Sequence, residues 1–227
     1  MDDLYIVYGS ESKLLKKIFF KKKVFFIRIF NKKKPLYLSN SYDFNSYDQF
    51  IKNFEKIFNS IKPKRIIFVG AAFEIQNSLL ISEKVENIET MINTNILNYV
   101  KFTHFILPYM MKIRSGNFIF LSSFKSQTTS RGVSIYSASK SFCENFYRVI
   151  GKEYGLLGIY SNSIRLGCFD GKMFNSLSEN KKTKLLMSIG NRRLGTSDDL
   201  FNAIEFILQN NYTNGGVLDL TAGINFD

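Results

Sequence analysis

Tyr136 and Lys140 stand four residues apart in the stretch "IYSASKSF", residues 135–142. On a helix that spacing stacks the two side chains one turn apart on the same face. An ammonium held there favours the phenolate and draws a Tyr pKa below its usual value of about 10. A helix beginning near Ser134 would add its positive end in the same sense. A Tyr tuned this way can give a proton to a developing alkoxide or take one from an alcohol. The chain has twelve Tyr and is rich in Lys, so one such spacing arises by chance. Its surroundings must decide.

Composition narrows the chemistry. The 227 residues suit one domain, 1–227, with a core of several layers. Apolar content of 45% and charged content of 22% are those of a soluble globular protein. Apolar runs such as "RIIFVGAAF" fall far short of the roughly 20 residues that span a bilayer. The opening "MDDLYIVYG" has acids where a signal peptide carries bases. A cytoplasmic protein without a membrane partner is expected. Cys143 and Cys168 make neither a disulfide framework nor a metal-ligand spacing. The single His104 cannot complete a triad or a metal site, so no metal is expected. The net charge of +12 concentrates in "KLLKKIFFKKKVFFIRIFNKKK", residues 13–34. A nucleic-acid surface can look like that. So can a solvated helix followed by a buried strand between Lys-rich turns, and that reading takes precedence over a nucleic-acid partner.

The elements that must carry the Tyr and Lys alternate along the chain. Strands are predicted at "LYIVYG", "VFFIRIF", "PLYLSN", "RIIFVGAA", "GNFIFLSS", "YSNSIRLG" and "GVLDLT". Helices are predicted at "SKLLKKIFFKK", at "SYDQFIKNFEKIFNSI", over 84–111, from the Tyr136 segment to about Tyr154, and around 176–189 and 197–209. Strands that are apolar throughout are covered on both faces. Alternating β and α units predict a doubly wound α/β domain of about seven parallel strands flanked by helices. Ligands of such sheets lie beyond the C-terminal strand ends. Here those ends are Gly9, Gly70, Ser122–Ser123 and Leu166–Gly167.

The order of motifs resembles the short-chain dehydrogenase/reductase family. "YSASK" is similar to its Tyr-x-x-x-Lys helix, and "FIFLSS" to the strand whose last Ser, here Ser123, lies 13 residues before the Tyr. "NTNILNYVKFTHFILPYM" resembles the helix that opens with a catalytic Asn, which places Asn95 as the fourth member. "GLLGIYSNSIRLG" resembles the segment ending in Pro-Gly beside the nicotinamide, with Leu166 in place of Pro before Gly167. The resemblance implies a Rossmann fold, a catalytic set of Asn95, Ser123, Tyr136 and Lys140, and a nicotinamide cofactor. Tyr136 would transfer the proton, Ser123 hold the substrate oxygen, Lys140 tune the Tyr and grip the ribose, and Asn95 support a proton relay. It also implies a homodimer or homotetramer packed on the helices around 95–111 and 136–154.

The cofactor end departs from the family. Its glycine-rich turn becomes "VYGSESKLL", which keeps Gly9 and leaves Ser10 and Ser12 to meet a phosphate, while Glu11 would repel it if it faced inward. The path from Gly9 to the second strand is also shorter than the family pattern. Its Asn-Asn-Ala-Gly becomes "VGAA", with Gly70 and Ala71 leaving room beside the ribose. The second strand offers Arg28 and no acid, which favours NADP over NAD. The expected function is an NAD(P)-dependent oxidoreductase acting on a carbonyl/alcohol pair. The positive charge alone suggests an anionic or nucleotide-linked substrate. The alternative is a pseudoenzyme or binding subunit of the same fold that no longer holds a dinucleotide.

Overall fold

A computed structural model describes residues 3–15, 17–18, 24–29, 41–76, 78–128, 130–175 and 178–224. Its strands are β1 (Asp3–Tyr8), β2 (Val24–Ile29), β3 (Ser41–Phe44), β4 (Arg65–Gly70), β5 (Gly116–Ser123), β6 (Ile159–Leu166) and β7 (Val217–Leu220). They form one parallel sheet in the order β3-β2-β1-β4-β5-β6-β7. The chain reverses its direction of travel across the sheet between β1 and β4, the switch point of a doubly wound fold.

Burial on both faces explains the unbroken apolar runs. Leu4, Ile6 and Tyr8 of β1, Phe68 of β4 and Phe118 and Phe120 of β5 point to one side. There they meet Phe50 and Phe54 of α1 (Tyr47–Ile61), Tyr99 and Phe102 of α3 (Asn98–Ile113) and Tyr147 of α4 (Ser134–Tyr154). Tyr5, Val7, Ile67, Val69, Ile119 and Leu121 point the other way, onto Leu15, Ile18 and the Leu200, Ile204 and Ile207 stripe of α7 (Ser197–Gln209). Each such side chain contributes roughly 1.5–3 kcal/mol on burial.

Three elements differ from the sequence expectation. The strand predicted at "PLYLSN" lies outside the described residues, and the third strand observed is Ser41–Phe44, paired with Phe26–Ile29. The described part of the helix predicted at "SKLLKKIFFKK" shows 3-10 structure, at Lys13–Leu15 and at Ile18, and no α-helix. The helix predicted over 84–111 is three pieces: α2 (Val85–Ile92), a π turn Asn93–Leu97, and α3. The Asn98 N–H reaches back five residues to the Asn93 carbonyl. Such π turns recur at functional sites. By contrast, α4 starts at Ser134 and ends at Tyr154, as expected. Between β6 and α7 the chain forms α5 (Lys172–Asn175) and α6 (Glu179–Ser188). This excursion is pinched at its neck, where the Asp170 N–H donates to the Gly195 carbonyl (3.0 Å) and the Gly195 N–H to the Cys168 carbonyl (2.9 Å).

Parallel register aligns the strand ends. Tyr8 lies opposite Ile29 and Gly70, Gly70 opposite Phe120, and Ser123 opposite Leu166. The residues singled out from sequence therefore share one edge of the sheet.

Candidate active site

The catalytic helix is held from outside itself. The residue before α4, Val133, offers no side-chain cap. Gln76, buried in the loop after β4, supplies one: its Oε1 accepts from the Ile135 N–H at 2.9 Å. An orphan N–H of the first turn is thus satisfied by a residue 59 positions away. Asn95, in the π turn and 1% exposed, makes a second tie. Its amide accepts from the Glu74 N–H (2.8 Å), donates to the Glu74 carbonyl (2.8 Å) and donates to Ser139 Oγ (3.2 Å) on α4. Ser139 in turn donates to the Tyr136 carbonyl at 2.7 Å. Gln76 and Ser139 escaped the sequence reading, because their partners are distant in the chain or on the backbone.

Against this frame stand Ser123, Tyr136 and Lys140. Ser123 lies near enough to Tyr136 for its hydroxyl to oppose the effect of burial on the Tyr136 proton. Ser123 Oγ also accepts from the Lys125 N–H at 3.3 Å, capping the 3-10 turn that follows β5. Lys140 is buried and donates to the Leu121 carbonyl at 2.8 Å. Three rings surround its ammonium, Phe120 at 4.7 Å, Phe73 at 5.3 Å and Tyr136 at 5.8 Å to the ring centroids. Phe73 is 44% exposed and forms the outer wall of this cage.

The electrostatics correct one expectation. The pairing was predicted to lower the Tyr136 pKa, yet burial pushes it up to about 12, with the Ser123 hydroxyl opposing. Burial also brings Lys140 down to about 8, opposed by the Cys143 thiol and the Glu144 carboxylate. Desolvation disfavours the charged form of each group. At neutral pH Tyr136 therefore keeps its proton and Lys140 its charge.

The strand ends that would face a dinucleotide are bare but partly engaged. Gly9 adopts φ +85°, and a Cβ there would lie 2.3 Å from the Ala72 nitrogen, so the turn tolerates no side chain. A Cβ on Gly70 would strike the Tyr99 ring, and one on Gly167 would meet Thr221 backbone at 2.8 Å. Ala71 is buried, with its N–H on the Tyr8 carbonyl at 2.8 Å. Leu166 closes β6 half-buried beside Gly167. Ser10, predicted to meet a phosphate, is buried. Its N–H (3.2 Å) and hydroxyl (3.3 Å) both donate to the Ile29 carbonyl, as does the Gly9 N–H (2.9 Å). The Ser12 N–H donates to the Gly9 carbonyl at 3.2 Å, and Glu11 is exposed. Arg28 is 1% exposed, and Asp43 holds its Nε at 2.8 Å and its Nη2 at 2.9 Å. Its guanidinium thus ties β2 to β3 instead of standing open to a ribose phosphate. The donor set fits a nicotinamide riboside at Tyr136 and Lys140. At the first turn Gly9 and Ser10 are buried and their N–H groups bond within the chain.

A cavity of about 280 Å³ adjoins this turn, lined by Lys13, Leu14, Asp170, Gly171, Asn175, Thr196 and Ser197. None of the four predicted catalytic residues lines it. His104 is exposed on α3, away from the strand ends. Among the described residues no helix is long and apolar enough to cross a membrane.

Comparison with known proteins agrees with this geometry. The 3-oxoacyl-(acyl-carrier-protein) reductase FabG of Chlamydia trachomatis is 28% identical over 176 residues, covering 77% of this chain and 69% of that protein. The Escherichia coli K12 enzyme of the same name is 26% identical over 160 residues, covering 70% and 66%. The chain thus spans about two thirds of the length of these relatives. Among solved structures, ElxO with NADP bound superposes with a TM-score of 0.84 at 20% identity, covering 98% of each chain. The ligand-free aldohexose dehydrogenase of Thermoplasma acidophilum gives 0.86 at 17% identity, covering 98% of this chain and 94% of that one. The family model described as short chain dehydrogenase matches residues 29–182, more than half of the sequence, and the chain belongs to that family.

Proposed function

We propose that this chain is an NADP-preferring reductase that turns a carbonyl into an alcohol. The observation that carries the reading is the meeting of Ser123, Tyr136 and Lys140 at the sheet edge, with Ser123 acting on the Tyr136 proton and the ammonium 5.8 Å from the Tyr136 ring centroid. A bound nicotinamide dinucleotide supplies the hydride. Ser123 holds the carbonyl oxygen by its hydroxyl. Tyr136, protonated at neutral pH, gives its proton to that oxygen as negative charge develops on it. Lys140 stabilises the phenolate left behind and holds the ribose hydroxyls. Asn95 keeps α4 in place through Ser139 and the Glu74 backbone. A Tyr that holds its proton suits reduction better than alcohol oxidation.

The NADP preference draws on the lack of an acid at the end of β2 and on the NADP that the similar ElxO structure holds. A 3-oxoacyl thioester is the first substrate class to test, because the relatives are named for it. The net charge of +12 suits an anionic carrier or a nucleotide-linked substrate. A single-domain, cytoplasmic homodimer or homotetramer completes the proposal. Val85, Ile92 and Leu97 beside α3, with Phe142 and Val149 on α4, are exposed apolar side chains suited to such packing. The second reading, a subunit without a dinucleotide, draws on the inward-bonded N–H groups of the first turn, and family membership weighs against it.

NADPH consumption with a panel of 3-oxo esters and thioesters tests the reading. Tyr136→Phe should lose about 10³-fold in turnover while still binding NADPH. Wild-type turnover in that variant would refute the assignment of Tyr136.

A further inference from the structure

Beside the catalytic residues lies a buried charge cluster that their chemistry does not use. Glu144 stands one turn beyond Lys140 on α4 and is 7% exposed. One carboxylate oxygen accepts from Ser122 Oγ (2.5 Å), Ser126 Oγ (2.7 Å) and Arg165 Nε (3.2 Å), and the other from Arg165 Nη2 (2.8 Å). Arg165, 5% exposed, also donates to Ser126 Oγ (3.1 Å) and to Asp219 Oδ1 on β7 (2.6 Å). The partners are adjacent to the chemistry in sequence. Ser122 precedes Ser123, and Arg165 precedes Leu166 and Gly167. One carboxylate therefore ties β5, β6 and, through Arg165, β7 to the helix that carries Tyr136 and Lys140.

Stability alone is a poor account of such a pair. Desolvation of two buried charges roughly cancels their attraction, and apolar replacements of the same volume often do as well or better. Strands β1 and β4 and most of β5 are instead packed with aromatic and aliphatic side chains. What an Arg–carboxylate fork provides and an apolar contact lacks is direction. We propose that Glu144 is a positioning residue for the reductase site, acting through Ser122 and Arg165 to fix the strand ends of Ser123 and Gly167 against Tyr136 and Lys140. This rests on the oxidoreductase reading above. Displacement of a catalytic group by about 1 Å can lower turnover about 10²-fold, which gives the cluster its leverage.

Two variants separate geometry from stability, each assayed as the full chain with NADPH and ethyl acetoacetate as the probe substrate. Arg165→Lys keeps the charge and loses the fork. The double variant Glu144→Leu/Arg165→Met removes both buried charges and deprives only the half-exposed Asp219 carboxylate of its ion-pair partner. In each, the thermal midpoint should stay near wild type, NADPH affinity should change little, and kcat should fall by at least about tenfold with KM nearly constant. Either variant, folded and with wild-type kcat, overturns the positioning role and leaves the cluster purely structural. A wild-type chain that neither binds NADPH nor reduces the probe overturns the functional reading, and the positioning role with it.

Discussion

Replacing Lys140 by Met should change how stability depends on pH, and the structure sets the size of the change. Burial brings the Lys140 ammonium from its ordinary 10.5 down to about 8 in the folded chain. Below pH 8 both folded and unfolded chains hold the proton, so the folded state bears the full penalty of a buried charge. Between about pH 8 and 10.5 the folded amine is neutral while the unfolded one is still charged. Unfolding then takes up a proton, and stability rises with pH by about 1.4 kcal/mol per unit. From pH 7 to pH 9.5 the wild type should therefore gain about 2 kcal/mol relative to Lys140→Met. Tyr136 is common to both proteins and cancels in the comparison. Urea unfolding of both proteins without cofactor, at the two pH values, measures the difference directly. A pH-independent difference, or one in which the wild type loses ground as pH rises, would rule out an ammonium destabilised by burial. It would mean that the ring cage and the Leu121 carbonyl compensate the buried charge.

Removing the remote cap by Gln76→Ala should destabilise the chain by about 1 kcal/mol and lower the thermal midpoint, since the Ile135 N–H loses its acceptor. An unchanged midpoint would show that water replaces the cap. Arg28→Met should cost about 3 kcal/mol by leaving Asp43 without its fork, while the ratio of NADPH to NADH affinity stays within about twofold. Collapse of that ratio would make Arg28 the reader of the ribose phosphate after all.

The fold was largely legible because its signals are local. Strands such as "RIIFVG" and "GNFIFL" are buried on both faces and apolar throughout, and the 3.6-residue period of α1 and α4 is strong. The Tyr136–Lys140 pair was legible for the same reason, since both sit on one helix. The missed features are contacts across the fold. The Gln76 cap, the Asn95–Ser139 tie and the Arg28–Asp43 fork each join residues from different elements, and no spacing announces them. Arg28 reads as a strand-end cation in sequence, but the register of β2 against β3 sets Asp43 directly opposite it. The π turn at Asn95 also has no periodic signature, because one inserted residue hardly alters the apolar stripe. The pKa of Tyr136 was misjudged because the pairing with Lys140 is visible in sequence and the depth of burial is not.

Whether the first turn admits a pyrophosphate decides the account most directly. Its Gly9, Ser10 and Ser12 N–H groups already bond within the chain. Fluorescence titration of the purified protein with NADPH, and separately with NADH, measures this. Saturable binding of NADPH, displaced by NADP and tighter than that of NADH, is the predicted result. A folded protein that binds neither would contradict the reductase account and leave a subunit of the same family without a dinucleotide.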